Sequence, residues 1–144
     1  MKRIRYFIFA AVVAVATVLI PRAAGTAGGS PPHEAVTLLA ARAISNVPGK
    51  RLVSILVDYP PGASSGAHRH AASAYIYAYV LAGEIRSQVD GEPMRIYRKG
   101  EWWIERPGAH HVVSANASAR LPARLLAVFI VDAAETELTT PATQ

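Results

Sequence analysis

The sequence predicts an all-β fold, a sandwich or small barrel, on three observations. Short runs rich in apolar, aromatic and β-branched residues recur from Lys50 to Asp132. Turn signals separate them, namely Pro60-Pro61-Gly62, Gly83, Asp90-Gly91, Lys99-Gly100 and Arg106-Pro107-Gly108. No stretch between those turns has a clear helical period, and many short strands without helices pack as two sheets or a closed barrel.

Taken in order, the chain opens on Lys2, Arg3 and Arg5, then an apolar run from Tyr6 to Ile20, then Pro21 and the small residues Ala23 to Ala27. This charged, apolar, small-residue order is that of a secretory signal peptide, with Gly25 and Ala27 suited to a cleavage site after Ala27. The apolar run is shorter than the ~20 residues a spanning helix needs. Residues 1–27 are therefore expected to be removed on export, giving a secreted or periplasmic chain that meets the membrane only through this segment. Without the basic residues of that segment, Arg22 included, basic and acidic residues nearly balance. No basic stripe is left for nucleic acid.

Residues 28–49 form an N-terminal arm. Gly28 to Pro32 is a flexible lead-in and His33 is expected to be exposed. Glu34 to Ile44 is compatible with a helix or with an edge strand ending at the Asn46-Val47-Pro48-Gly49 turn. Residues 50–132 form the barrel. Strands are expected at Arg51–Tyr59, Tyr75–Leu81, Glu84–Val89, Met94–Tyr97, Trp102–Glu105, His110–Ser114 and Ala123–Val131. Asp90-Gly91 is a strong hairpin turn between the third and fourth of these. The tyrosines at 75, 77 and 79 and the two tryptophans read as packing residues, with one tryptophan facing the core. Glu101 and Glu105 read as solvated. Residues 133–144 read as a frayed tail.

The chemistry centres on His68-Arg69-His70. Residues two apart do not face each other on a helix. On a strand they share one face, about 6.6 Å apart along the chain. Two imidazoles are thus set side by side with Arg69 opposite. His110 and His111 are adjacent, so only one of them can turn inward on a strand. His68, His70 and one of that pair would make a three-imidazole site suited to Zn, Fe, Mn, Cu or Ni, with open positions for water or substrate. The chain has no cysteine, which excludes thiolate ligands, disulfides and a cysteine nucleophile. It also has no nucleophile elbow, phosphate-binding glycine loop or dinucleotide fingerprint. Asn116-Ala117-Ser118 matches a glycosylation sequon, a short pattern that arises often by chance.

These residues resemble the cupin family over roughly Lys50 to Asp132. Its first motif runs Gly-x5-His-x-His-x3–4-Glu-x6-Gly, matched by Gly62, His68, His70 and Gly83. Its second runs Gly-x5-Pro-x-Gly-x2-His-x3-Asn, matched by Gly100, Gly108 and His111. The resemblance implies a jelly-roll β-barrel (a double-stranded β-helix) with a metal in its mouth, and selects His111 over His110. The chain departs from the pattern at three places. The glutamate slot, counted back from Gly83, holds Ile76; Pro107 is one place late; and Asn116 follows the family's asparagine slot by one. The expected metal ligands are therefore His68, His70 and His111 plus solvent, with Tyr75 or Tyr77 the nearest substitute for the glutamate. The missing carboxylate also raises the alternative of a barrel that holds no metal. The resemblance implies a metal-dependent enzyme on a small organic molecule, of dioxygenase or isomerase type. The alternative is a non-catalytic module that binds a small molecule or metal. Exposed sheet edges allow a homodimer.

Overall fold

A computed structural model describes residues 32–142, and every regular element among them is a β-strand. The expected signal peptide and its cleavage site lie outside the described residues. The strands are β1 (Ala35–Ala43), β2 (Lys50–Tyr59), β3 (Ser64–Ser65), β4 (His68–His70), β5 (Tyr75–Ala82), β6 (Glu84–Val89), β7 (Arg95–Arg98), β8 (Trp102–Glu105), β9 (His110–Asn116), β10 (Ala123–Asp132) and β11 (Thr139–Pro141). They form two sheets, ordered β1-β2-β10-β5-β8 and β11-β4-β9-β6-β7, with β3 also on β9. Every pairing is antiparallel. This is the jelly-roll expected from the sequence.

Strand alternation decides which side chains enter the space between the sheets. On β5, Ile76, Ala78 and Val80 are buried while Tyr75 and Tyr77 are exposed on the outer face. On β10, Leu125, Ala127, Phe129 and Val131 turn inward. Two buried clusters result. One holds Val57, Val80, Ile85, Trp103 and Leu125, the other Val53, Ile76, Phe129 and Val131, and Ile55 packs on both. Trp103 is buried and Trp102 exposed, as two consecutive residues on a strand must be.

Two tight features hold the turns. Gly83 has φ +68°, and a Cβ there would lie 2.5 Å from the Pro122 carbonyl oxygen. Only glycine fits that close crossing of the β5–β6 turn under the loop before β10. Asn116 is buried at the end of β9. Its Nδ2 donates to the carbonyl oxygens of Tyr59 (3.2 Å), Pro60 (3.0 Å) and Leu121 (2.8 Å), and its Oδ1 accepts from the Ser118 amide. The sequon asparagine is thus a buried clamp on three backbone segments and leaves no room for a glycan.

Two expectations are corrected or settled here. Ala35–Ala43 is a strand, paired along β2 from Ala35↔Asp58 to Ala43↔Arg51 with one irregularity near Leu38. The tail is not frayed throughout. Thr139–Pro141 pairs with β4, and the Ala71 amide bonds to the Leu138 carbonyl and the Ala142 amide to the Ala67 carbonyl. A three-residue strand such as β4 has few hydrogen bonds of its own, so β9 on one side and β11 on the other fix where its histidines stand.

Candidate metal centre

β4 and β9 run antiparallel with His68 opposite His111 and Arg69 opposite His110. Directly opposed residues share a face. His68, His70 and His111 therefore converge inside the barrel, with ring centroids 4.8, 5.2 and 6.0 Å apart. One nitrogen from each lies within 4.8 Å of the others, a spacing that can hold one metal ion. His110 stays on the other face with its amide bonded to Asp90 Oδ1. His111, not His110, is therefore the ring of this pair that faces His68 and His70.

The donor chemistry fits a cation. The His68 Nδ1–H donates to the Gly66 carbonyl at 2.8 Å, which leaves Nε2 of the neutral ring as a free lone pair. Ser87 Oγ hydrogen-bonds His111 Nε2 at 2.9 Å and fixes that ring. Among the described residues His70 Nδ1 meets no hydrogen-bond partner, and Nε2 meets only Glu105 Oε2, at 2.8 Å. Buried polar atoms are rarely left unsatisfied, so this ring is suited to take up a ligand. Burial pushes His111 down from the ordinary 6.5 to about 4, with His68 and His70 pushing the same way and Glu105 opposing. Burial also lowers His68. Neutral rings are the metal-binding form.

The sequence reading of Glu105 is overturned. Far from being solvated, it is 3% exposed and faces the histidines from β8. Its Oε2 lies 2.8 Å from His70 Nε2 and its Oε1 3.3 Å from His111 Nδ1. The indole N–H of Trp103 donates to Oε1 at 3.0 Å. Burial alone would raise this carboxyl, but His70, His111 and Trp103 together hold it below the usual carboxylate value. The β5–β8 register explains its position, since Glu105 is the direct partner of Ile76. Ile76 does face inward, as counting back from Gly83 placed it. Tyr75 and Tyr77 are exposed and cannot replace the missing glutamate. The available signal was alternation: with Trp103 inward, Glu105 had to be inward too.

The histidines open onto a cavity of about 390 Å³, in the range of small-molecule sites. Val57, Ile76, Leu125 and Phe129 form its apolar wall. Tyr59, Ser65 and Ser114 form a hydroxyl cluster, with Tyr59 Oη 2.9 Å from Ser65 Oγ and 2.7 Å from Ser114 Oγ. Burial raises Tyr59 above its ordinary value, so its proton is held. Glu34 and Val36 from the arm and Leu138, Thr139 and Pro141 from the tail complete the wall. No lysine or arginine is among the described residues that line it.

Residues 55–129, just over half of the chain, match the family model of the cupin domain, and the chain belongs to the cupin family. It is 32% identical over 78 residues to the cupin-domain-containing oxidoreductase fogC of Aspergillus ruber, a match covering 54% of this chain and 37% of that one. The chain thus spans little more than a third of that relative's length. Its fold is similar to that of a double-stranded β-helix domain protein from Klebsiella pneumoniae subsp. pneumoniae (TM-score 0.59, 17% identity, 78% of this chain and 89% of that one). It is also similar to the DMSP lyase DddQ from Ruegeria pomeroyi (TM-score 0.53, 23% identity, 63% and 43%). At those identities the two structural likenesses speak for the fold.

Proposed function

We propose that this cupin is a metal-dependent enzyme acting on a small, largely apolar organic molecule bound inside the barrel. The observation that carries this reading is the convergence of His68, His70 and His111 at the wall of a 390 Å³ cavity. When bound, a divalent transition metal supplies a Lewis acid or an oxygen-activating centre there. The similar fogC of Aspergillus ruber is an oxidoreductase, which supports catalysis rather than passive binding.

The residues divide the remaining work. The apolar wall excludes water and receives hydrocarbon surface. The Tyr59, Ser65 and Ser114 hydroxyls can donate to and accept from a hydroxyl or carbonyl of the substrate, orienting it towards the histidines. With no lysine or arginine among the described lining residues, a polar or charged group of the substrate would be met by the metal and the hydroxyl cluster, and hydrocarbon by the rest of the wall. Export rests on the N-terminal charge and apolar order, and a homodimer on the exposed sheet edges.

The test is metal analysis after dialysis of the purified protein, followed by turnover assays on small phenols, alcohols, ketones and carboxylates with and without oxygen. We expect close to one equivalent of metal and turnover of one of these compounds. Less than about a tenth of an equivalent would refute metal-dependent catalysis, since such a site must hold its ion to work. Full metal with no turnover would favour the binding-module reading. Mass spectrometry of the exported protein should find a chain that begins near Gly28, and a full-length cytosolic product would refute export.

A further inference from the structure

We infer that Glu105 is a fourth protein ligand of the metal, reaching the centre from β8 and standing in for the glutamate that the cupin motif places at position 76. This rests on the three-histidine reading and adds a carboxylate that no motif predicts. Four observations carry it.

The first is register. Ile76 and Glu105 are direct partners across β5 and β8, and both are buried on the inner face. Opposed side chains start about 5 Å apart. A carboxylate on Glu105 can therefore enter the space that a glutamate at 76 would fill.

The second is spacing. Two ligands bound at about 2.1 Å to one ion lie about 3.0 Å apart at a right angle and about 3.4 Å apart at a tetrahedral one. Glu105 Oε2, the oxygen Trp103 leaves free, lies 2.8 Å from His70 Nε2, close to the right-angle spacing.

The third is how the carboxylate is held, with Oε2 2.8 Å from His70 Nε2 on the buried inner face. Trp103 holds Oε1 from the other side and itself packs on Tyr97 with ring centroids 4.5 Å apart. Oε2 is thereby left to face the histidines.

The fourth is charge. Among the described residues no lysine or arginine lines the cavity to neutralise a buried carboxylate. A divalent ion against Glu105 would supply the compensation that such a group requires.

The competing account is a buried ion pair between Glu105 and a protonated His70, with the metal, if any, on histidines alone. Metal-stripped protein titrated with Mn²⁺ and with Zn²⁺ separates the two. In the wild type, infrared difference spectra on adding Mn²⁺ to protein carrying ¹³C-labelled glutamate should show a carboxylate shift. Glu105→Gln keeps the shape and the acceptor for Trp103. It should lower Mn²⁺ affinity by about a hundredfold, at or beyond the upper end for loss of an outer partner, lower Zn²⁺ affinity by less, and abolish the infrared shift. Moving the carboxylate across the strand pair, in Ile76→Glu with Glu105→Ile, should recover most of the Mn²⁺ affinity. Wild-type Mn²⁺ affinity in Glu105→Gln would overturn the assignment while leaving the histidine centre intact. So would wild-type protein that binds Mn²⁺ with no carboxylate shift, a measurement that does not depend on any variant folding. Wild-type protein that binds neither ion would overturn the histidine centre, and this assignment with it.

Discussion

Acidifying the metal-free protein should unfold it through His111. The native ring is held near 4 by burial, while in the unfolded chain it titrates at its ordinary 6.5. Between those values the unfolded chain takes up a proton that the native state refuses. The stabilisation is therefore complete above about pH 6.5 and is lost as pH falls towards 4. At ~1.36 kcal/mol per unit, the gap corresponds to about 3 kcal/mol, a sizeable fraction of the stability of a small domain. His68 is lowered as well and adds a loss of the same sign. Glu105 is held below the ordinary carboxylate value, so its stabilisation is present above its unfolded value and lost only at lower pH still. Urea unfolding of chelator-treated protein, followed by tryptophan fluorescence at several pH values between 7 and 4.5, measures this directly, because Trp103 is buried at the site. His111→Asn should be less stable at pH 7 but lose less on acidification. A wild-type stability that stays level from pH 7 to 4.5, or a variant with the same pH slope as the wild type, would refute the reasoning.

Three further outcomes follow from the geometry. Gly83→Ala should destabilise by more than about 2 kcal/mol in thermal or urea melts, because positive φ is joined by a clash with the Pro122 backbone. Gly62→Ala, with φ +72° and nothing within 4 Å, should be nearer 1 kcal/mol, and equal effects would show the crossing to be soft. Asn116→Ala should cost about 2–4 kcal/mol, since it strips three carbonyl oxygens and one amide of a buried partner. A loss below about 1 kcal/mol would mean water replaces the clamp. His110→Ala should leave Zn²⁺ affinity unchanged by calorimetry while His111→Ala removes it, and the reverse would place the other ring inside.

What the sequence made legible was whatever runs along a single strand. The strand at His68–His70, the pairing of a tryptophan inside with one outside, and the turns at Gly83 and Asp90-Gly91 each follow from local alternation or backbone freedom. His111 was legible too, because its motif fixes its parity on β9. The arm and the tail were not. Ala35–Ala43 is exposed along most of its length, so its composition carries no strong period, and it is a strand because β2 offers it an open edge. Thr139–Pro141 is too short to declare itself and owes its form to β4.

Glu105 escaped for a different reason. A family motif is a rule about spacing along the chain, and by that rule the carboxylate slot falls on Ile76 and is empty. The cavity has no knowledge of chain order. It offers a volume beside His70 that a side chain on β5 or its partner on β8 can fill, and the Ile76–Glu105 register makes the two positions equivalent in reach. Isoleucine at 76 and glutamate at 105 then read as one exchange across a strand pair, apolar bulk taken by one position and charge by the other. An apparent loss in a barrel site should therefore be checked against the residue hydrogen-bonded across from it before the site is judged incomplete. In this chain that residue was legible in principle, since inward parity at Trp103 fixes inward parity at Glu105, and a carboxylate committed to the interior of an apolar barrel has to be there for a cation or a proton.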